Sequence, residues 1–389
     1  MHVDLVSALT SADRDAALAH LRAGPAVKTT NFFDGTEIHL VTGYEEILTV
    51  LTDPRFSHDP DKQTKFQMGS AVGLPEDLQP YVLAALGAQD PPRHTHLRRA
   101  VSKEFTFRRV ERLKPRIQQI TDELLDHLPR EADLVQTLAY PLPVRVICEL
   151  LGVPAADYDR WHQWSEAIGG TDPEAMASGW RSLVDYILDL IGQKRRDPGN
   201  DLVSALVGNG DLTEEEITSL SVSILLAGHE TTVTLISGGA LLLLTHPDKK
   251  EPLLREPERI PNAVEEFLRY SGAADVGVFR YTLEPVEIGG VTIPADEPVM
   301  PLYHAGNRDP RRFPEAAELH LDRGESGHLG FGHGMHYCLG AALARAELQI
   351  VFTSLLSRFP DMALLHPDTP PAWQPGLARS LAELPVRMY

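Results

Sequence analysis

At 389 residues, with 43% hydrophobic and 23% charged side chains, the chain has enough apolar surface to bury a large core. Its formal charge of −19 argues against nucleic acid as a partner, because a polyanion would be repelled. Two cysteines far apart provide no disulfide framework and fit a reducing compartment. No signal-peptide pattern is present, and no uncharged apolar run approaches the roughly 18 residues of a membrane span, so the expectation is a cytoplasmic protein without a membrane anchor.

In chain order, residues 1–60 open with a helical segment. A hairpin then turns at Asp34-Gly35 between 26–30 and 37–41, and a short helix follows over 44–52. Residues 61–89 read as a loop-rich excursion carrying Phe66, Met68 and Val72, a type of stretch that wraps pockets more often than it builds cores. From 92 to about 210 the pattern is helical, with helices over roughly 93–103, 108–128, 140–151, 155–168, 173–196 and a short one from 201. Pro154, Gly169-Gly170 and Asp197-Pro198-Gly199 punctuate them.

Thr213 and Glu216 have capping-box spacing and launch the longest helical stretch, which runs to about 244. It is apolar on most faces and is expected to lie through the middle of the protein. His229-Glu230 at its centre speaks against a membrane span. A further helix covers 259–270. Short strands follow near 276–282, in a hairpin over 286–293 turning at Gly289-Gly290, and near 298–302. An irregular Pro- and Arg-rich stretch occupies 307–323, and short strands make up the tail over 360–389. The fold class is mainly α with small β-sheets (α+β), as one domain over 1–389. Its β-rich parts are about 26–41, 276–302 and the tail, and its helical parts about 92–270 and 338–359.

The chemistry concentrates in Phe331-Gly-His-Gly-Met-His-Tyr-Cys338-Leu-Gly340. Beyond Cys338, apolar residues recur at Leu339, Ala342, Leu343, Ala346 and Ile350, so the cysteine stands at the mouth of a helix. Unpaired N–H groups and the helix dipole there favour a thiolate, which serves as a nucleophile or a metal ligand. Gly334 and Gly340 leave room for a large flat group. A zinc site built from His333, His336 and Cys338 would lack the second ligand pair usual for structural zinc.

The pattern F-x-x-G-x-x-x-C-x-G resembles the haem-binding loop of the cytochrome P-450 superfamily of haem-thiolate monooxygenases. The resemblance implies a single triangular haem domain with a long central helix, binding haem b (iron protoporphyrin IX). Cys338 would be the iron ligand, Phe331 would pack beside the sulfur, Gly340 would let the helix approach the porphyrin, and His336 would meet a propionate.

Ala227-Gly228-His229-Glu230-Thr231-Thr232 is similar to the family's A/G-G-x-D/E-T-T motif, which makes Glu230 and Thr231 the acid–alcohol pair of proton delivery. A hydroxyl at 231 can bond back to the carbonyl of 227 and, beside Gly228, bend the helix. Glu266 and Arg269 match the family's E-x-x-R, a structural ion pair. The third arginine often found after Phe-Pro is replaced by Glu318, which leaves Arg312, a neighbouring histidine or a smaller network to fill its place.

His94 and Arg98, four apart on one helix face, together with Arg280, are the remaining propionate ligands that the resemblance implies. Arg99, Arg108 and Arg109 form either a solvated face or a docking surface for a ferredoxin. Substrate contacts are expected from the 61–89 loop, the 165–180 turn, Leu226, Ala227, the 274–279 wall with Asp275 and Val276, and Leu377 within 376–378. Asp275 reads as a solvent-facing turn carboxylate, with a hold on a cationic or hydroxylated substrate as the sharper alternative.

The implied reaction inserts one atom of O2 into a small hydrophobic organic substrate by C–H hydroxylation or epoxidation, as a natural-product tailoring step. Electrons would come from a ferredoxin and its reductase, and the protein would be a monomer. The rivals are a peroxide-driven haem-thiolate enzyme and a non-enzymatic haem sensor.

Overall fold

The computed structural model describes residues 2–11, 13–65, 74–82, 84–170, 172–323, 327–374 and 378–389. The helix Glu214–Thr245 runs through the main hydrophobic core. The Thr213 hydroxyl accepts from the Glu216 N–H, and the Glu216 carboxylate accepts from the Thr213 N–H. Three glutamates in the first turn face the positive end of the dipole. In length and composition this helix would suffice to cross a membrane, but its apolar residues are mostly buried against neighbouring helices. Pro141–Leu151, Pro173–Arg196 and Ala341–Arg358 pack on it, and Phe107–Asp126 packs on Ala341–Arg358. Gly239 permits the crossing with the last of these, since a Cβ there would lie 2.5 Å from Phe352 Cζ.

The β-rich side contains a six-stranded sheet. Its order is His2–Val3, Val27–Asn31, Glu37–Val41, Pro298–Pro301, Arg280–Thr282, Phe56–Ser57. The first hairpin has the expected turn, with Gly35 at φ +85° and the pairs Val27–Val41 to Asn31–Glu37 in register. Val286–Ile288 and Val291–Ile293 form the second hairpin, with Gly289 and Gly290 both at positive φ.

Several elements went unread in the sequence, the two-residue strands His2–Val3 and Phe56–Ser57 among them. Glu131–Asp133 lies in a stretch read as helical, yet it pairs with Pro385–Arg387, which in turn pairs with Ala363–Leu364. A three-residue strand carries too little pattern to see. Pro247–Arg255 is a helix despite two prolines; Pro247 stands at its first turn, where a missing N–H is harmless. Tyr303–Asn307 is a five-residue helix directly after a strand. The strand expected over 276–282 is shorter, Arg280–Thr282; ahead of it Ala274 bridges to Ala378 in the tail and the Gly277 N–H donates to the Pro301 carbonyl.

Glu266 and Arg269 form the buried ion pair that their spacing allowed, doubly bonded at 2.7 Å with both side chains at most 2% exposed. Arg269 also donates to the carbonyls of Asn307, Ala316 and Glu318. The third cation is Arg323, whose Nε lies 3.2 Å from Glu266 Oε2, so none of the substitutes expected from the sequence holds. Arg312 lies over the Tyr44 and Phe313 rings. His320 contributes its backbone N–H to Glu266, and Glu318 its carbonyl to Arg269. The irregular segment doubles back after Pro314, with Arg323 Nη1 donating to the Pro314 carbonyl, which no local pattern encodes.

Arg323→Ala is expected to cost about 1–3 kcal/mol, the range for a hydrogen bond to a charged group. Glu318→Gln, at an exposed carboxylate, should stay within about 0.5 kcal/mol. Parallel thermal unfolding of the two variants is the check.

Candidate active site

The loop from His328 to Gly340 is closed by a hydrogen bond from the Cys338 N–H to the Phe331 carbonyl at 2.9 Å. Gly332 and Gly334 take φ of +68° and +73°, and a Cβ at Gly334 would lie 2.9 Å from the Leu51 carbonyl oxygen, so glycine is required there. A clamp missed in the sequence holds both ends of the loop. Glu265 accepts from Arg345 at 2.6 and 2.8 Å and lies 3.1 Å from His328 Nε2. The Arg345 guanidinium sits 4.6 Å over the Phe331 ring and donates to the Tyr337 hydroxyl at 3.1 Å. Arg345 lies one turn into the helix Ala341–Arg358, and no local pattern singles it out.

Burial pushes the Cys338 thiol up. The N–H groups of Gly340 and Ala341 and the charges of Arg98 and Arg345 act the other way but do not outweigh it. The helix-terminus effect expected from the sequence is therefore present and insufficient; a stable thiolate here calls for a further cation, as a metal supplies. Phe331 is buried beside the loop, and Gly340 caps the helix Ala341–Arg358 with a Cβ position 4.0 Å from Cys338 Sγ.

Beside the loop, His336 stacks on His58 at 3.3 Å between ring centroids and lies 4.1 Å from the His94 ring. His94 comes from the helix Arg93–Ser102, whose Arg98 donates to the Tyr337 carbonyl at 2.8 Å. Arg280, at the start of the strand Arg280–Thr282 in the large sheet, donates Nη1 to the carbonyls of Val278 and Phe279. Among the described residues, His94 Nε2, His336 Nε2 and Arg280 Nε are buried without a hydrogen-bond partner. The neighbouring carboxylate, Asp90, already serves Ser57, the His58 N–H and Lys62. Burial, with nearby Arg280 and the adjoining rings, holds His58 at about 3 and His336 at about 2, and burial brings Arg280 down to about 10. Buried polar nitrogens without partners are costly unless a ligand completes them, so these three leave hydrogen-bonding capacity that the described residues do not fill. His58 joins them unannounced by any motif.

The third part of the site is an open window on the central helix. Ala227, Glu230 and Thr231 are exposed, while Leu225, His229, Thr232 and Val233 around them are buried. Spacings of three and four place the exposed residues on one face. Thr231 Oγ1 donates to the Ala227 carbonyl at 2.7 Å, as expected, and the helix stays α-helical across that bond. The same face continues to Thr234, whose hydroxyl lies 2.9 Å from that of Ser380 in the tail. Leu226 is half-buried beside the window, and Val278, next to Arg280, is 55% exposed.

Two of the expected pocket residues point elsewhere. Asp275 is 0% exposed, with Oδ2 receiving Arg14 Nε at 2.6 Å, so it is neither a solvent-facing turn carboxylate nor a hold on substrate. Burial of so large a carboxylate–guanidinium pair requires a partner from a distant helix, which a local reading cannot supply. Val276 is packed in the core with Leu5, Phe279 and Met300; the exposed apolar side chain of that wall is Val278. Phe66, Met68, Val72 and Leu377 lie outside the described residues. Arg99 and Arg108 are exposed, and Arg109 pairs with Glu104 at 3.2 Å. A groove of about 520 Å³ lined by Arg98, Arg99, Lys103 and Met335 lies against the His94 helix.

Burial alone would raise the Glu265 carboxyl, but hydrogen bonds from Arg345 and His328 overcome it and hold it at about 2. A carboxylate depressed from the ordinary value of about 4.3 contributes stability that is complete above that pH and lost as pH falls toward 2. Arg345→Ala removes the main depressing partner. Its acid unfolding, followed by circular dichroism from pH 6 to 2, should begin at higher pH than in the parent protein.

The chain matches the family model for Cytochrome P450 over residues 146–378. It is 41% identical to the 6-deoxyerythronolide B hydroxylase of Saccharopolyspora erythraea, over 99% of this chain and 98% of that protein. It is 44% identical to the mycinamicin IV hydroxylase/epoxidase of Micromonospora griseorubida, over 90% of each. The solved structure of the tirandamycin C-bound P450 monooxygenase TamI superposes with a TM-score of 0.92 at 38% identity, covering 100% of both chains. By the family model, by identity over nearly the whole length of these relatives and by a fold shared with TamI, the chain belongs to the cytochrome P450 family and is a P450 monooxygenase.

Proposed function

We propose that this protein binds haem b as one cytoplasmic domain over residues 1–389 and inserts one atom of O2 into a small hydrophobic natural product, by C–H hydroxylation or epoxidation. The observation that carries the reading is the cluster of buried, partnerless nitrogens on His94, Arg280 and His336 beside the Cys338 loop. It fits a flat group bearing two carboxylates, whose iron Cys338 would hold and to whose carboxylates Arg98 would add a further cation. Relatives named for 6-deoxyerythronolide B and mycinamicin IV support a tailoring role on such products.

Haem held by a cysteine thiolate supplies the iron that binds and activates O2, with sulfur electron density favouring O–O cleavage. The chain's own residues manage protons and position. The Thr231 hydroxyl, parked on the Ala227 carbonyl, can turn from that acceptor to hold a proton in the window. Glu230, exposed one residue earlier, takes a proton from solvent and passes it toward Thr231 Oγ1. Leu226, Ala227 and Val278 supply apolar surface against which a hydrophobic substrate displaces water. Arg98, Arg99 and Lys103 around the groove with Met335 offer a positive patch for a ferredoxin on a chain of net charge −19, where steering must be local.

The reduced protein under carbon monoxide should show the red-shifted Soret band of thiolate ligation, and Cys338→Ser should abolish it. An unshifted band in the parent protein would overturn the assignment. Thr231→Ala should keep consuming reductant while product falls about 10²-fold and peroxide accumulates, by the usual weight of a positioned proton donor. A haem sensor would be indifferent to that substitution; measuring product and peroxide per reductant consumed separates the two.

A further inference from the structure

The open face of the central helix is bordered by two segments distant in sequence, tied together by residues with no part in the chemistry above. Residues 273–278 and 378–381 meet through the Ala274–Ala378 bridge and a hydrogen bond from the Arg379 N–H to the Ala273 carbonyl at 3.1 Å. Ser380 then reaches Thr234, three residues beyond Thr231 on the window face. The helix Arg14–Arg22 contributes the tie. Arg14 is 2% exposed; its Nε donates to Asp275 Oδ2 at 2.6 Å and its Nη1 to the Ala378 carbonyl at 3.1 Å. One guanidinium thus holds both segments.

Asp15 repeats the arrangement next door. It accepts from Arg379 Nη2 at 2.7 Å and lies 3.1 Å from His304 Nε2, while the His304 N–H donates to the Asp275 carbonyl at 3.0 Å. The Arg379 guanidinium lies 4.8 Å over the Trp373 ring.

We propose that Arg14 is a positioning residue for substrate, fixing the spacing between the 274–278 and 378–380 walls and thereby the size of molecule the window accepts. This rests on the reading of that face as the substrate pocket. The planar fork of arginine has donors in fixed directions and can serve a carboxylate and a carbonyl at once; a lysine has a point charge on a flexible stem. The pair is fully buried, so water cannot replace either bond, and the wall spacing follows the guanidinium. Buried ion pairs often add little net stability over an apolar replacement, so a positioning role is the one the test below addresses.

The test uses the holoenzyme and two azoles that bind the iron, imidazole and the bulky clotrimazole, titrated by difference spectroscopy. Imidazole is too small to reach the walls. Arg14→Lys should leave imidazole affinity unchanged and weaken clotrimazole about tenfold, a modest loss against the ~10²-fold that an ångström of misplacement can cause. An unchanged ratio of the two affinities would overturn the proposal. Equal weakening of both would also overturn it, by assigning Arg14 a general structural role. If Arg14→Lys does not fold, Asp275→Asn keeps the shape, removes the charge, and is read in the same way. A parent holoenzyme that binds imidazole but not clotrimazole would refute the pocket reading itself, separately from the role of Arg14.

Discussion

Two consecutive carboxylates on one helix hold the site together. Glu265 joins the residue before the cysteine loop, His328, to the helix after it through Arg345. Glu266 turns the other way, to Arg269, Arg323 and the His320 N–H. Adjacent helix residues point about 100° apart, so a single Glu-Glu pair can serve two separate networks. Each charge is compensated by more than one donor, the condition under which burial of a carboxylate is tolerable. The path of the chain over 308–323 and 327–338 is irregular, and these ionic contacts take the place of regular backbone pairing in fixing it.

The central helix meets a different constraint. It is rich in hydroxyls, and Thr218, Ser221, Thr231, Thr232, Thr234 and Ser237 all donate back to carbonyls one turn earlier. That habit satisfies hydroxyls in an apolar environment at little expense. Among these hydroxyl residues only Thr231 is exposed, so only there does the hydroxyl have somewhere else to go. Position in the fold, not the local bond, distinguishes Thr231 from Ser237.

Positive charge is concentrated locally in an otherwise acidic molecule. Arg98, Arg280 and Arg345 surround the cysteine loop, and the three histidines beside them are held neutral by burial. Neutral imidazoles offer N–H donors without the repulsion that three imidazolium ions would bring to the arginines. The three rings therefore add no positive charge to that of the arginines beside them.

Much of this was legible in the residues. The capping box of Thr213 and Glu216, the Asp34-Gly35 turn, the long helices and the cysteine loop all depend on interactions within a few positions of the chain, and local pattern reports local physics. His94, Arg98, Arg280, His336 and Cys338 were named before the fold was known, from motifs whose spacing is itself local. Arg323 in place of the expected third arginine, the Glu265 clamp, His58 in the histidine stack, and the burial of Asp275 on Arg14 were not legible. Each depends on a partner dozens to hundreds of positions away, and a charged side chain looks the same in sequence whether water or a buried counter-ion receives it. The amino-acid order by itself determined the family, its motifs and the local elements that carry them. Only tertiary packing decided which charges are buried, what pairs with them, and which face of the central helix is left open, because desolvation acts on surfaces that exist only once distant segments meet.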